Sequence, residues 1–324
     1  MRPMFAAVAF VGGLALSPGF AAIPQVGSDV SDPYAGFAAM PQEPAEKTRI
    51  ALDVVRVDIL VTVTDKRGRF ITNLTRDDFE VMEDGRPQRI LGFAAPTDLP
   101  LRIAVLIDAS SSIRDRFRFI QEAAIEFITT VVRPRLDKVM VVSFDSSVER
   151  VSALDDDLGR FASAIRSLHP GRGTSLYDAI RFACRDGLEA DKPRHEMRRI
   201  IVVLSDGEDT QSQTTRDQAL EAAQKASVVI HAISTNTARI DTPGDKVLKY
   251  FAQETGGVAF FPFRIEDLAK SFETLAKEMR RQYSIYYRPE PLQPDGQYHA
   301  IKLRVKGRKD VVIRARKGYY APKP

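Results

Sequence analysis

The sequence predicts an α/β fold, a doubly wound and mostly parallel six-stranded sheet with helices on both faces, accompanied by a small β module built from the flanking segments. Three observations carry this. Between residues 99 and 281 apolar runs alternate with amphipathic stretches at helical spacing, the signature of a parallel sheet covered by helices. Within that region the run Leu101–Ser112, LRIAVLIDASSS, is continuously apolar and then ends in an acid, as a strand buried on both faces ends at the carboxyl edge of such a sheet. Outside it, the segments before residue 97 and after residue 281 mostly alternate with period two, the pattern of half-buried strands.

In chain order, the amino terminus has the make-up of an export signal. Arg2 supplies the positive end, Phe5 to Leu16 the apolar stretch, and Pro18, Gly19 and Ala21 a breaker with a small-residue cleavage site. Cleavage is expected after Ala21. The apolar stretch is shorter than the roughly 20 residues of a spanning helix, and no later segment is apolar enough to span. No Cys lies near the cleavage site, so lipid attachment there is excluded. An exported, soluble product is expected, periplasmic or extracellular. Residues 22–49 are rich in Ala, Pro, Gly and small polar residues without periodicity, and read as a flexible linker.

Residues 50–96 read as the first part of the β module. Val55, Val57, Ile59, Val61 and Val63 alternate with more polar neighbours, Thr75 is placed to cap a helical turn before Phe79, and Asp84-Gly85 marks a hairpin. Strands of the α/β domain (99–281) are expected at Arg102–Ile107, Lys138–Phe144, Arg199–Leu204, Val228–Ile233 and Val258–Phe261, with a short edge strand near Val148–Val151. Helices are expected at Phe117–Val132, Leu158–Leu168, Leu176–Leu188, Arg216–Ala226, Asp245–Glu254 and Ile265–Arg281. The first carries Phe117, Ile120, Ala124, Phe127, Ile128 and Val131 as one apolar stripe, and Gly256-Gly257 stop the fifth. Leu268, Phe272, Leu275 and Met279 of the last read as core rather than as a cofactor box. From 282 to 324 come Gln282–Tyr287, His299–Val305 and Val311–Ala315, too few strands to bury a face alone. They are expected to complete the module begun at Ile50, and the closing KGYYAP to pin the last strand to the body.

The chain of 324 residues has 44% apolar and 28% charged residues, ordinary for a globular protein, and a formal net charge of only +4. That charge gives no licence for nucleic-acid binding, and the basic strip from Arg280 onward reads as a solvated face of strands. Cys184 is the only cysteine, so no internal disulfide forms. It lies on the apolar side of YDAIRFACRDGL and reads as a small buried hydrophobe. The four histidines, His169, His195, His231 and His299, show no metal-ligand spacing along the chain, which sets aside zinc and Cys/His nucleophilic catalysis.

The chemistry concentrates where strands hand over to helices. Asp108, Ser110 and Ser112 present one carboxylate and two hydroxyls on a single tight loop. These are hard oxygen donors of the kind preferred by Mg²⁺, Mn²⁺ or Ca²⁺. RGTSLYDAI places Thr174 after Gly173 and before a helical stretch, and RIIVVLSDGEDT ends a second apolar strand in Asp206. Taken singly, each of the five reads equally well as a helix cap. Together, at one edge of the sheet, they bring hard oxygen donors to one place. Glu208 and Asp209 lie close to Asp206, either modulating the site or, the first reading, forming a solvated loop.

On these residues the chain resembles the von Willebrand factor type A family, whose metal-ion-dependent adhesion site has the pattern DxSxS, then Thr, then Asp. The resemblance covers roughly residues 99–281. The flanks VTVTDKRGRFITNLTRDDFEVMEDGRPQRI, QYSIYYRP, DGQYHAIKLRVK and VIRARKGYY resemble the exported VWFA-related group frequent in acidobacteria. Family loops often carry Gly where Ala109 and Ser111 stand here. Integrin-type relatives use two acids after the loop to hold an adjacent calcium. Here Asp115 matches the first and Arg116 replaces the second, which argues against a second metal at that place and leaves Asp115 as an acid near a helix start.

The resemblance implies a divalent metal, Mg²⁺ with Mn²⁺ or Ca²⁺ as alternatives, held by Asp108, Ser110, Ser112, Thr174 and Asp206, one Asp acting through water. It further implies that an Asp or Glu from a protein partner completes the coordination, so the expected function is that of an adhesion-type interaction module, not an enzyme. Two other classes stand beside it. A Mg²⁺-dependent hydrolase would use the carboxylates to activate water, but no His or Lys stands out as a general base and no phosphate-binding Gly loop is evident. A structural envelope protein would carry the site as a vestige.

Overall fold

The computed structural model describes residues 56–96, 99–189, 197–236, 240–262, 264 and 266–322. The expected export signal and linker, and His195, lie outside the described residues. The chain runs through β1 (Val57–Asp65), a 3-10 turn (Arg76–Asp78), β2 (Phe79–Glu83), β3 (Arg86–Gln88), β4 (Ile90–Ala94) and β5 (Leu101–Asp108). Then come α1 (Phe117–Val131), β6 (Lys138–Phe144), β7 (Val148–Asp155), α2 (Leu158–Arg166), α3 (Leu176–Phe182), β8 (Arg198–Ser205) and α4 (Arg216–Lys225). After these follow β9 (Val228–Ser234), α5 (Pro243–Thr255), β10 (Ala259–Phe260) and α6 (Glu266–Arg280). The last four strands are β11 (Tyr283–Tyr287), β12 (Tyr298–Val305), β13 (Val311–Arg314) and β14 (Gly318–Tyr320). Among the described residues no helix is long and apolar enough to cross a membrane.

The central sheet has six strands in the order β10-β9-β8-β5-β6-β7. All neighbours are parallel except β6 and β7. As the continuous apolar runs predict, both faces are covered. Leu101, Ile103, Val105 and Ile107 of β5 face α1, α2 and α6, whereas Ala104 and Leu106 face α3, α4 and α5. The α1 stripe meets the α6 stripe, with Phe127 stacked on Phe272 at 4.7 Å between ring centroids. The chain leaves β5 toward β6 on one side and returns to β8 on the other, so β5 is the topological switch point. Open α/β sheets bind their ligands outside the carboxyl ends of the strands at that point.

One expected helix differs. Leu176–Leu188 is helical only to Phe182 and continues as a π-turn over Ala183–Leu188, where the Glu189 N–H donates to the Cys184 carbonyl at 3.0 Å. The wider turn keeps Ala183, Cys184 and Leu188 all fully buried against the sheet. Cys184 is thus a buried hydrophobe, and burial pushes its thiol pKa far up. Gly256 ends α5 in the left-handed conformation, with φ of 86°.

The flanking segments pair with each other in two four-stranded sheets. One has the order β13-β1-β11-β4 and the other β14-β12-β2-β3. The first puts Ile59 opposite Ile285, and the second puts Val81 opposite Leu303. Ile59, Val61, Tyr283 and Ile285 of the first share one core with Phe79, Val81, Ile301 and Val305 of the second. Strands from both ends of the chain thus contribute to one core. KGYYAP supplies β14. Buried Arg198 at the start of β8 donates to the Met279 and Gln282 carbonyls at 2.9 and 2.7 Å, joining the central sheet to the end of α6.

Candidate metal centre at the sheet edge

Asp108 is the last residue of β5 and is fully buried. Its Oδ1 accepts the Ser110 N–H at 2.8 Å, which turns the chain sharply at the strand end. Its Oδ2 accepts the Ser205 hydroxyl at 2.5 Å, across from the neighbouring strand β8. The Ser110 and Ser112 hydroxyls lie 2.9 Å apart, and the Ser112 hydroxyl donates to Asp206 Oδ2 at 2.6 Å. Four of the five expected ligands thus form one continuous group. They meet because β5 and β8 are parallel neighbours, with Ile107 opposite Leu204, so Asp108 and Asp206 leave the sheet side by side.

Thr174 lies on a segment that backbone bonds tether to both loops. The Gly171 N–H donates to the Ala109 carbonyl, and the Ser111 hydroxyl donates to the Arg172 carbonyl at 3.1 Å, fixing the loop before Thr174 to the Asp108 loop. On the other side the Thr174 carbonyl accepts the Thr210 and Gln211 N–H groups at 2.9 and 3.0 Å, fixing it to the segment after Asp206. Thr174 is buried. Asp108, Ser110 and Thr174 are buried, Asp206 is half-buried and Ser112 is exposed, so the group is closed on one side and open on the other.

The burial of Asp108 has an electrostatic consequence. Loss of solvent pushes its carboxyl pKa up to about 6, against the opposing pull of the Ser205 and Ser110 hydrogen bonds, and the nearby Asp206 charge adds to the rise. Because the folded pKa lies above the unfolded one, the favourable contribution of the protonated acid is complete below about pH 4. It is lost as pH rises through about 6, a change of about 3 kcal/mol. In metal-free protein, the stability of Asp108→Asn relative to wild type should therefore grow by about this amount from pH 4 to pH 7. Denaturant unfolding at both pH values checks it; a pH-independent difference would mean that Asp108 ionises freely.

Two further residues, Ser205 and Asp209, shape the site. Ser205 reads simply as the end of an apolar strand, yet its hydroxyl donates to Asp108 and accepts the Gly207 N–H at 3.0 Å. Asp209 is not a solvated loop residue. It accepts the Tyr177 N–H at 2.9 Å and the Ser212 hydroxyl at 2.6 Å, and so ties the Asp206 segment to the first turn of α3. Glu208 is exposed, as expected. Arg116, in place of the second acid, donates to the Thr235 carbonyl beyond β9.

Gly207 has φ of 83°, and a Cβ there would lie 2.2 Å from the Gly244 carbonyl oxygen. The start of α5 therefore packs directly on the backbone that carries Asp206. Gly207→Ala combines left-handed strain with this clash and should destabilise the protein by more than about 2 kcal/mol while weakening cation binding. Thermal unfolding and cation titration of the variant check both effects. An unchanged melting temperature would show that the two segments are free to separate.

The sequence profile of the von Willebrand factor type A domain matches residues 103–278. No curated protein sequence matches the chain. Among solved structures, similar folds include an aerotolerance-related membrane protein from Bacteroides fragilis. It is 17% identical over 55% of this chain and 98% of its own, with a TM-score of 0.45. The vWF domain of the type V pili tip protein Mfa5 from Porphyromonas gingivalis is 14% identical over 56% of this chain and 95% of its own, TM-score 0.47. Proximal thread matrix protein 1 from the mussel byssus, with a zinc-occupied MIDAS motif, is 20% identical over 58% of this chain and 47% of its own, TM-score 0.47.

Proposed function

Because this chain belongs to the von Willebrand factor type A domain family, we propose that it is an exported, adhesion-type interaction module. In it Asp108, Ser110, Ser112, Thr174 and Asp206 hold a divalent cation, Mg²⁺ first, with Mn²⁺ or Ca²⁺ as alternatives. The observation that carries this reading is the linked Asp108–Ser110–Ser112–Asp206 group at the switch point of the sheet, buried at Asp108 and open at Ser112. The donors fit the ion: all are hard oxygens, and a buried carboxylate with a raised pKa lacks a counter-charge. When bound, the cation supplies an electrophilic position for a carboxylate oxygen of a partner protein.

The chain's own groups do the rest. Ser205 and the Ser110 N–H hold the Asp108 carboxylate in one orientation, and Ser112 holds Asp206. Two carboxylates neutralise a divalent ion formally, while the three hydroxyls add no charge, so an incoming Asp or Glu is still attracted. An enzymatic role is not favoured: among the described residues no His or Lys hydrogen-bonds to this group. The test is a pull-down from envelope extract with Mg²⁺ present. A partner should be retained, released by chelator, and missing when Asp108→Asn is the bait. Retention that ignores both chelator and substitution would remove the metal from the function. A panel of phosphoester and peptide substrates with Mg²⁺ should show no turnover.

A further inference from the structure

A second group of metal-ligating side chains lies in the β module. Glu83 ends β2, Asp84 begins the hairpin turn to β3, and His299 stands on β12, the strand that pairs with β2. Glu83 and His299 are each 5% exposed. The His299 Nδ1 lies 2.7 Å from Asp84 Oδ2 and 3.8 Å from Glu83 Oε1, and one ligand atom from each of the three lies within 4.8 Å of the others. The supporting shell is defined as well. Asp84 Oδ1 accepts the Ala300 N–H at 2.8 Å, the Tyr287 hydroxyl donates to Glu83 Oε2, and the Tyr319 hydroxyl donates to Glu83 Oε1 at 3.3 Å. On the far side of the imidazole, Nε2 lies 3.2 Å from Asp295 Oδ1.

One ring nitrogen facing two carboxylates, with the other ring nitrogen against a third, offers the donor set of a zinc-class centre. Such centres bind through His and carboxylates and orient the ligating imidazole with an outer carboxylate. We propose that Glu83, Asp84 and His299 form a second divalent-metal site of the mixed nitrogen–oxygen class that takes Zn²⁺, with Asp295 as the positioning residue behind His299. The mixed donors separate this site in preference from the all-oxygen group at the sheet edge. The spacing of histidines along the chain gives no hint of it, because Asp84 and His299 are 215 residues apart and meet only through strand pairing. Glu83 and Asp84 come from the first part of the module and His299 from the last. A metal here would clip together the two ends that flank the α/β domain, and its binding free energy would add directly to the stability of the module.

The test uses the full chain carrying Asp108→Asn, so that the sheet-edge group does not contribute, with Zn²⁺ followed by calorimetry and thermal unfolding. One equivalent should bind and raise the melting temperature. Adding His299→Gln should weaken binding by more than about 100-fold, and adding Asp295→Asn by about 10–100-fold. Asp295 is 41% exposed on a loop, so its substitution leaves the fold intact even if His299→Gln does not. Co²⁺ in place of Zn²⁺ should give a visible spectrum that His299→Gln abolishes. Absence of saturable Zn²⁺ binding in the Asp108→Asn protein, or binding indifferent to both His299→Gln and Asp295→Asn, would overturn the proposal. The cluster would then be only an ion pair, His299 held protonated between Asp84 and Asp295.

Discussion

Asp108→Asn should give a folded protein whose stability no longer responds to Mg²⁺ or Mn²⁺. In the wild type, a cation at about 100 times its Kd should add about 2.7 kcal/mol to unfolding. For a protein of 324 residues that should raise the melting temperature by roughly 4 °C. The variant keeps an oxygen for the Ser110 N–H but has no charge to offer an ion, so the rise should vanish. Loss of the response should not be confused with loss of the fold. Above about pH 6 the metal-free variant should be at least as stable as wild type, because the cost of ionising a buried carboxyl has gone. Paired melts with and without Mg²⁺ read both effects. A variant that melts lower than wild type without cation and still gains from Mg²⁺ would place the ion elsewhere.

The second large effect lies on the opposite edge of the sheet. Asp137→Ala should cost about 3–5 kcal/mol, enough to bring a domain close to unfolding at room temperature. Asp137 is fully buried and accepts from the Leu101 N–H at 2.8 Å, the Arg133 N–H at 2.9 Å and the Arg280 guanidinium at 2.6 Å. It therefore ties the start of β5 to the loop after α1 and the end of α6. Burial would raise its pKa, but these donors outweigh burial and hold the carboxyl below its ordinary value. Its contribution is present above the ordinary carboxylate range and is lost as pH falls through the lowered pKa. Asp137→Asn should recover part of the loss by keeping hydrogen-bond acceptors. Chemical denaturation of both variants at neutral and acid pH checks the order. Equal stabilities for Asp137→Ala and wild type would show that the arginines find other partners at no cost.

Legibility in the sequence followed the range of the interactions. The β5 run, the α1 stripe and the placement of Asp108 and Asp206 at strand ends depend on local periodicity and on the rule that parallel strands are buried on both faces. These elements fold as read. The π-turn at Ala183–Leu188 was hidden because its apolar spacing is nearly that of a helix. That the flanking strands divide into two sheets depends on which long-range pairs form, and period-two alternation carries no such information. The same limit applies to Ser205 and His299. Each is unremarkable in its own segment, and each acquires its role from a residue on another strand.

In the proposed site, five oxygen-bearing side chains from three separate loops hold one cation with a position to spare. Anomalous diffraction from crystals of the full chain grown with Mn²⁺ tests it most directly. A single strong peak enclosed by Asp108, Ser110, Ser112, Thr174 and Asp206, with a solvent-facing ligand that acetate can replace, is the predicted result. No peak there at saturating Mn²⁺, or a peak whose solvent-facing position a carboxylate cannot enter, would contradict it.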